Sequence, residues 1–279
     1  MRSAPARKAW FAASAAMLAA GCASNSRSEE LAYVEQPVEV IYSEASASLD
    51  KRNWDLAAQQ FDEVQRQHPY SVWAQRSMLM SAYAHYRARD FDEAVSSAQE
   101  YIALHPGAED APYAYYLVAV SHFDQIIDVG REQARSELAL TALNEVTARF
   151  PESEYARDAE LKTDMVRDQL AGKEMEIGRY YLKRNEHLAA MNRFRNVVKT
   201  YDTTTHAPEA LHRLVESYLS VGLVGQAQAS AAVLGYNYPG STWYAETYAL
   251  LDREGVEMPA SPEGGQTTNW IAKMWNSVF

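Results

Sequence analysis

Apolar residues recur at spacings of three and four from about Val38 to Gly255, while Gly-Asn and Asp-Gly turn pairs are scarce. That spacing predicts amphipathic helices and gives no convincing strand. The pattern also repeats. A small residue is followed by apolar residues four and seven positions later, then by a proline that stops the helix. Four segments fit in full: Ala57, Phe61, Val64 and Pro69; Ala94, Ala98, Tyr101 and Pro106; Ala139, Leu143, Val146 and Pro151; and Ala227, Ala231, Leu234 and Pro239. A fifth, Ala190, Phe194 and Val197, carries Asp202 where the others have proline. A self-similar period near 34 residues marks tetratricopeptide-type helical hairpins. The key alanines are 37, 45, 51 and 37 residues apart, so the outer repeats are near standard and the middle ones carry insertions. These lie at Asp124 to Arg135, read as a loop running into a lengthened helix, and at Glu152 to Ala171, read as helical with Leu161, Met165 and Leu170 on one face. The predicted fold is all-α: a right-handed solenoid of five hairpins over residues 37–256, each burying the apolar stripe of its neighbour.

Both ends depart from this pattern. Arg2, Arg7 and Lys8 precede a short apolar run, Ala9 to Ala20, that closes in Leu18-Ala19-Ala20-Gly21-Cys22. Residues 1–21 read as an export signal of the lipoprotein type, too short to be a membrane span. Cys22 is the single cysteine of the chain. With no disulfide partner, it is the candidate lipid attachment site, as an N-palmitoyl and S-diacylglycerol cysteine. Ala23 rather than Asp follows it, which points to the outer membrane, and residues 22–36 read as a flexible tether. At the other end, residues 257–268 contain Pro259, Pro262, Gly264 and Gly265 and read as a linker. In residues 269–279, Trp270, Ile271, Met274, Trp275, Val278 and Phe279 fall on one helical face. Such a stripe needs a cover, either its own last hairpin or a partner's groove.

The chain carries a net charge of −11, and cleavage before Cys22 removes three positive charges to leave −14. An acidic protein of this kind is unsuited to nucleic acid or anionic headgroups. Metal-binding signatures are missing: there is no HExxH, and the seven histidines are scattered. His68 and His105 fall in loops, and His85 and His122 on first helices, where packing outweighs ligation. No glycine-rich nucleotide loop follows a strand, and no cofactor is implied. Glu216-Ser217 faintly resembles the glutamate-serine segment of lytic transglycosylases, but the fifth repeat already accounts for its surroundings. Of the tyrosines, Tyr181 and Tyr218 take the repeat's core position. Tyr83, Tyr86, Tyr113 and Tyr116 fall on early first helices, the concave side of this architecture, where aromatic walls with acidic rims suit an extended peptide.

Several segments are more specific. They are His68-Pro69-Tyr70-Ser71 with Ala74-Gln75, Ala82-Tyr83-Ala84-His85-Tyr86, Arg149-Phe150-Pro151-Glu152-Ser153-Glu154-Tyr155-Ala156, and Gly178-Arg179-Tyr180-Tyr181 through Asn192-Arg193-Phe194. Together with the signal and five hairpins they resemble the outer-membrane assembly lipoprotein family called BamD, also known as ComL, over roughly Glu30 to Asp252. The resemblance implies a non-catalytic subunit of the β-barrel assembly machine on the periplasmic face of the outer membrane. It implies partners as well: the periplasmic domains of the barrel subunit BamA, other Bam lipoproteins, and unfolded outer-membrane β-barrel proteins. On that reading Tyr83, Tyr86, Tyr113 and Tyr116 belong to the client-receiving half. Arg193 matches the arginine of the family's Asn-Arg motif that pairs with an acidic BamA residue; otherwise it is an ordinary surface arginine. A repeat scaffold coordinating cell-wall synthesis or division is the alternative, and a peptidoglycan-cleaving enzyme working through Glu216 a further one.

Overall fold

The apolar spacing is realised as helix after helix. The structure, a computed structural model, describes residues 35–126 and 133–257. The described residues form α1 (Val38–Asp50), α2 (Trp54–Gln67), α3 (Val72–Ala88), α4 (Phe91–Leu104), α5 (Ala111–Phe123), α6 (Gln133–Arg149), α7 (Glu154–Lys183), α8 (His187–Thr200), α9 (Ala207–Ser220), α10 (Val224–Asn237) and α11 (Thr242–Arg253), with no strand among them. No helix of the described residues is long and apolar enough to cross a membrane. Signal residues 1–21, Cys22 with most of its tether, and the 269–279 segment lie outside the described residues.

Local chemistry starts and stops these helices. Ser71 and Ser241 cap α3 and α11 by accepting the backbone N–H three residues on, and Pro112 and Pro208 occupy first-turn positions of α5 and α9, where no N–H is needed. His68, His105 and Tyr238 end α2, α4 and α10 in one non-helical conformation, each just before a proline that disfavours the helical one. Tyr201 closes α8 in a similar conformation although Asp202 follows it. Packing therefore imposes this ending even without the proline.

Consecutive helices pair as antiparallel hairpins: α1–α2, α3–α4, α5–α6, α7–α8 and α9–α10, with α11 following as an unpaired first helix. All fifteen repeat residues named above, from Ala57 to Leu234 with the stop positions aside, are at most 1% exposed. The small residue lets the two helices approach, and the larger ones fill the space behind it. First helices also touch one another, α1 on α3, α3 on α5 and α5 on α7, whereas the even-numbered helices make no comparable mutual contacts among the described residues. From α1 to α7, and again between α9 and α11, the odd-numbered helices thus form the tighter, inner layer.

The second insertion differs from its expected form. It is the first half of one 30-residue helix, α7, about 45 Å long. Leu161 and Met165, expected on its buried face, are 59% and 53% exposed, and only Leu170 of that trio is buried. The buried stripe is Ala156, Ala159, Thr163, Val166 and Leu170. The observed stripe keeps three-and-four spacing throughout, whereas Met165 and Leu170 are five apart and Leu161 and Leu170 nine, which sets those two on opposite sides of a helix. Small Ala and Thr let α7 lie close to α6 in a way that hydrophobicity alone does not reveal. The first half of α7 packs in a core with Leu143 and Val146 of α6, and its second half, through Ala171 and Met175, in the core of α8–α11. One helix thereby joins an N-terminal half to a C-terminal half.

Candidate partner-binding site

Tyr83 and Tyr86 lie three residues apart on α3, and Tyr113 and Tyr116 three apart on α5, so each pair shares a helix face. Because α3, α5 and α7 adjoin, these faces merge. Tyr155, in the first turn of α7, stacks on Tyr116 with centroids 5.1 Å apart and meets Tyr113 at 5.4 Å. At the other margin Trp54 of α2 meets Tyr83 edge-on at 6.4 Å, and the Arg87 guanidinium lies 4.5 Å over the Trp54 ring. Arg87 also donates to the Tyr83 hydroxyl at 2.6 Å. All four expected tyrosines are half-buried, their ring bases packed on the core and part of each ring open.

Carboxylates fix the hydroxyls. Tyr86 donates to Asp124 at 2.7 Å, and Tyr116 donates to Asp158, which Lys162 also holds at 2.6 Å. Burial, and then those carboxylate bonds, push the phenols of Tyr86 and Tyr116 well above their ordinary range; burial does the same for Tyr113. They stay neutral donors at any physiological pH. The result is a rigid aromatic surface whose rings cost little entropy to immobilise, edged by anions. The sequence reading missed Trp54, Arg87, Tyr155, Asp124 and Asp158. Arg87 was accessible as the residue four after Tyr83, but the carboxylates reach the tyrosines only across 38 and 42 residues of chain.

Arg193 lies in the other half, on α8. Its guanidinium sits 3.3 Å from both carboxylate oxygens of Glu174 on α7, a side chain 8% exposed, while 42% of Arg193 remains open. It is therefore no free surface arginine: it neutralises a buried charge and presents its remaining edge outward. Of the two tyrosines assigned to the core, Tyr218 is fully buried and takes a hydrogen bond from Arg195, whereas Tyr181 is half-buried.

Glu216 is bound to Arg213 at 2.7 Å, with His212 3.9 Å away. This ties it into an ion-pair set joining α9 to α11, where His212 hydrogen-bonds Thr247 at 2.8 Å. A glycosidase acid needs a protonated carboxyl facing a second carboxyl across a sugar cleft; a carboxylate matched to an arginine suits a structural role. His85 of α3 lies 3.7 Å from both Asp62 and Asp90, bridging its own hairpin to the preceding helix. Among the described residues no group of three His, Cys, Asp or Glu is arranged to hold a metal.

Comparison with known proteins covers both halves. The model of the YfiO family, described as outer membrane lipoprotein, matches residues 34–234. The chain is 51% identical over 243 residues to the outer membrane protein assembly factor BamD of Caulobacter vibrioides, covering 87% of this chain and 80% of that one. It is 43% identical over 231 residues to the BamD of Rickettsia prowazekii, covering 83% and 91%. With the BamD of Neisseria meningitidis serogroup A it shares 28% identity over 254 residues, covering 87% and 95%.

Proposed function

The chain belongs to the YfiO family of outer membrane lipoproteins, to which it is joined by 51% identity with an outer membrane protein assembly factor BamD, and from that membership we propose that it is a non-catalytic subunit of the β-barrel assembly machine. The carrying observation is that the likeness runs through the solenoid as a whole, so both the tyrosine-lined half and the α7–α8 half belong to the shared design. Anchored by lipid on Cys22 at the periplasmic face of the outer membrane, the solenoid holds its two surfaces near the site of barrel insertion.

The division of labour follows from the surfaces. The aromatic layer of Tyr83, Tyr86, Tyr113 and Tyr116 receives unfolded β-barrel clients, since rigid aromatic rings grip an extended chain without demanding one sequence. The exposed edge of Arg193 faces an acidic group on the periplasmic domains of BamA, and other Bam lipoproteins complete the assembly. The acylated protein, purified from detergent-solubilised outer membranes, should bring down a BamA-like barrel subunit. Recovery of cell-wall synthesis or division proteins in its place would replace this reading with that of an envelope scaffold.

A further inference from the structure

Five residues among those described have φ in the left-handed range, none of them inside a helix: Arg52, Arg89, Asn185, Gly222 and Gly255. Each follows a first helix and closes it with the same pair of bonds, its own N–H to the carbonyl three before and the next N–H to the carbonyl four before. At Arg52, Arg89, Asn185 and Gly222 the chain then turns straight into the second helix of a hairpin. Gly255 makes this turn at the end of α11, after which the described chain continues only to Glu257.

The face that a second helix covers is open on α11. Seven residues before the left-handed position stand Ala45, Ala82, Gly178 and Val215, all buried. Gly178 shows why: a Cβ there would lie 2.4 Å from the Phe194 ring of α8, the second helix of the same hairpin. The matching residue of α11 is Tyr248, which is 55% exposed. Beside it is a shallow cavity lined by Tyr248, Asp252, Gly255, Val256 and Glu257.

The sequence directly after Gly255 is a poor second helix. Counting as in the other repeats, Ala260 takes the small position, but Gly264 and Thr267 fall where the others have Phe61 and Val64 or Phe194 and Val197, with Pro262 between. Apolar residues resume in Trp270, Ile271, Met274, Trp275, Val278 and Phe279. We infer that residues 269–279 fold back onto α11 and take the second-helix place of a sixth hairpin, sealing the C-terminal end of the solenoid. The intervening dozen residues span up to ~40 Å, more than the ~18 Å length of α11. Lys273, the sole charged side chain of the segment, suits a cavity edged by Asp252 and Glu257.

The test places a photoreactive benzoylphenylalanine at Tyr248 of the full acylated chain, purified alone, and maps the adduct by mass spectrometry. An intrachain adduct with residues 269–279, its yield unchanged on dilution, is expected. Trp270→Ser combined with Trp275→Ser should abolish it while leaving the helical circular dichroism of the solenoid intact. Three results would overturn the inference: no adduct with the segment, an adduct between two chains that fades on dilution, or one that forms only when a barrel subunit is present.

Discussion

Replacing Arg193 by alanine removes the guanidinium that neutralises Glu174, leaving a carboxylate 8% exposed without its charge partner. Breaking a fully buried ion pair costs about 3–5 kcal/mol, because the survivor is stranded away from water. An exposed pair is worth at most about 1 kcal/mol. With Arg193 itself 42% open, the loss falls between these limits, at about 2 kcal/mol. For a solenoid of this size that lowers the melting temperature by roughly 4–8 °C. Arg193→Glu should cost more, since it sets two carboxylates against each other. Glu174→Gln, made together with Arg193→Ala, should restore most of the stability by removing the stranded charge. The assay is thermal and urea unfolding of all four proteins, followed by co-purification of the barrel subunit with each. If Arg193→Ala melts with the wild type, the electrostatic reasoning is wrong. If the double variant regains both stability and barrel recovery, Arg193 stabilises the fourth hairpin and is not the docking contact. Regained stability without regained recovery is what the docking proposal expects.

Gly178→Ala should destabilise by about 1–3 kcal/mol, since the new methyl meets the buried Phe194 ring and overpacking outweighs the roughly 1 kcal/mol that alanine gains in an open helix; an unchanged or raised urea midpoint would contradict this. Phe194→Ala should cost about 3–5 kcal/mol, by the same assay, as the ring is fully buried between α7 and α8. Tyr116→Ala with Tyr113→Ala should weaken photo-crosslinking of an unfolded barrel client without changing barrel-subunit recovery, and equal loss of both would dissolve the proposed division into halves. Burial holds the His212 imidazole below its ordinary value of about 6.5, so the unfolded chain takes up that proton first and stability falls as pH drops below about 6.5. His85 has the opposite sign. Burial opposes its charge, but the nearby Asp62, Asp90 and Glu93 carboxylates prevail and raise its pKa. Its stabilisation is complete below about 6.5 and disappears as pH rises through the raised value. Urea midpoints from pH 5 to 8 should therefore lose acid sensitivity in His212→Gln and gain it in His85→Gln, and parallel profiles would refute both assignments.

The repeat was legible because it depends on local rules. Ala57, Phe61 and Val64 and their four counterparts must each place a small residue where helices cross and larger ones behind it, and three-and-four spacing records that requirement in the chain. The prolines marked four of the five second-helix ends for the same reason, since a missing N–H and a fixed φ act on adjacent residues. The four tyrosines of the aromatic layer were legible as positions on first helices, because the helix face follows from spacing alone.

What lay beyond the sequence depends on residues that meet only after folding. Hydrophobicity favoured Leu161 and Met165 as the buried face of α7, but the close approach to α6 buried the smaller Ala159 and Val166 in their place. Asp124 and Asp158 reach their tyrosines across a stack of separate hairpins, and Glu174 meets Arg193 across a helix pair, so no local pattern marks them. The open face at Tyr248 is of the same kind. Burial is a property of what packs against a residue, and only the stacked helices show which places are filled.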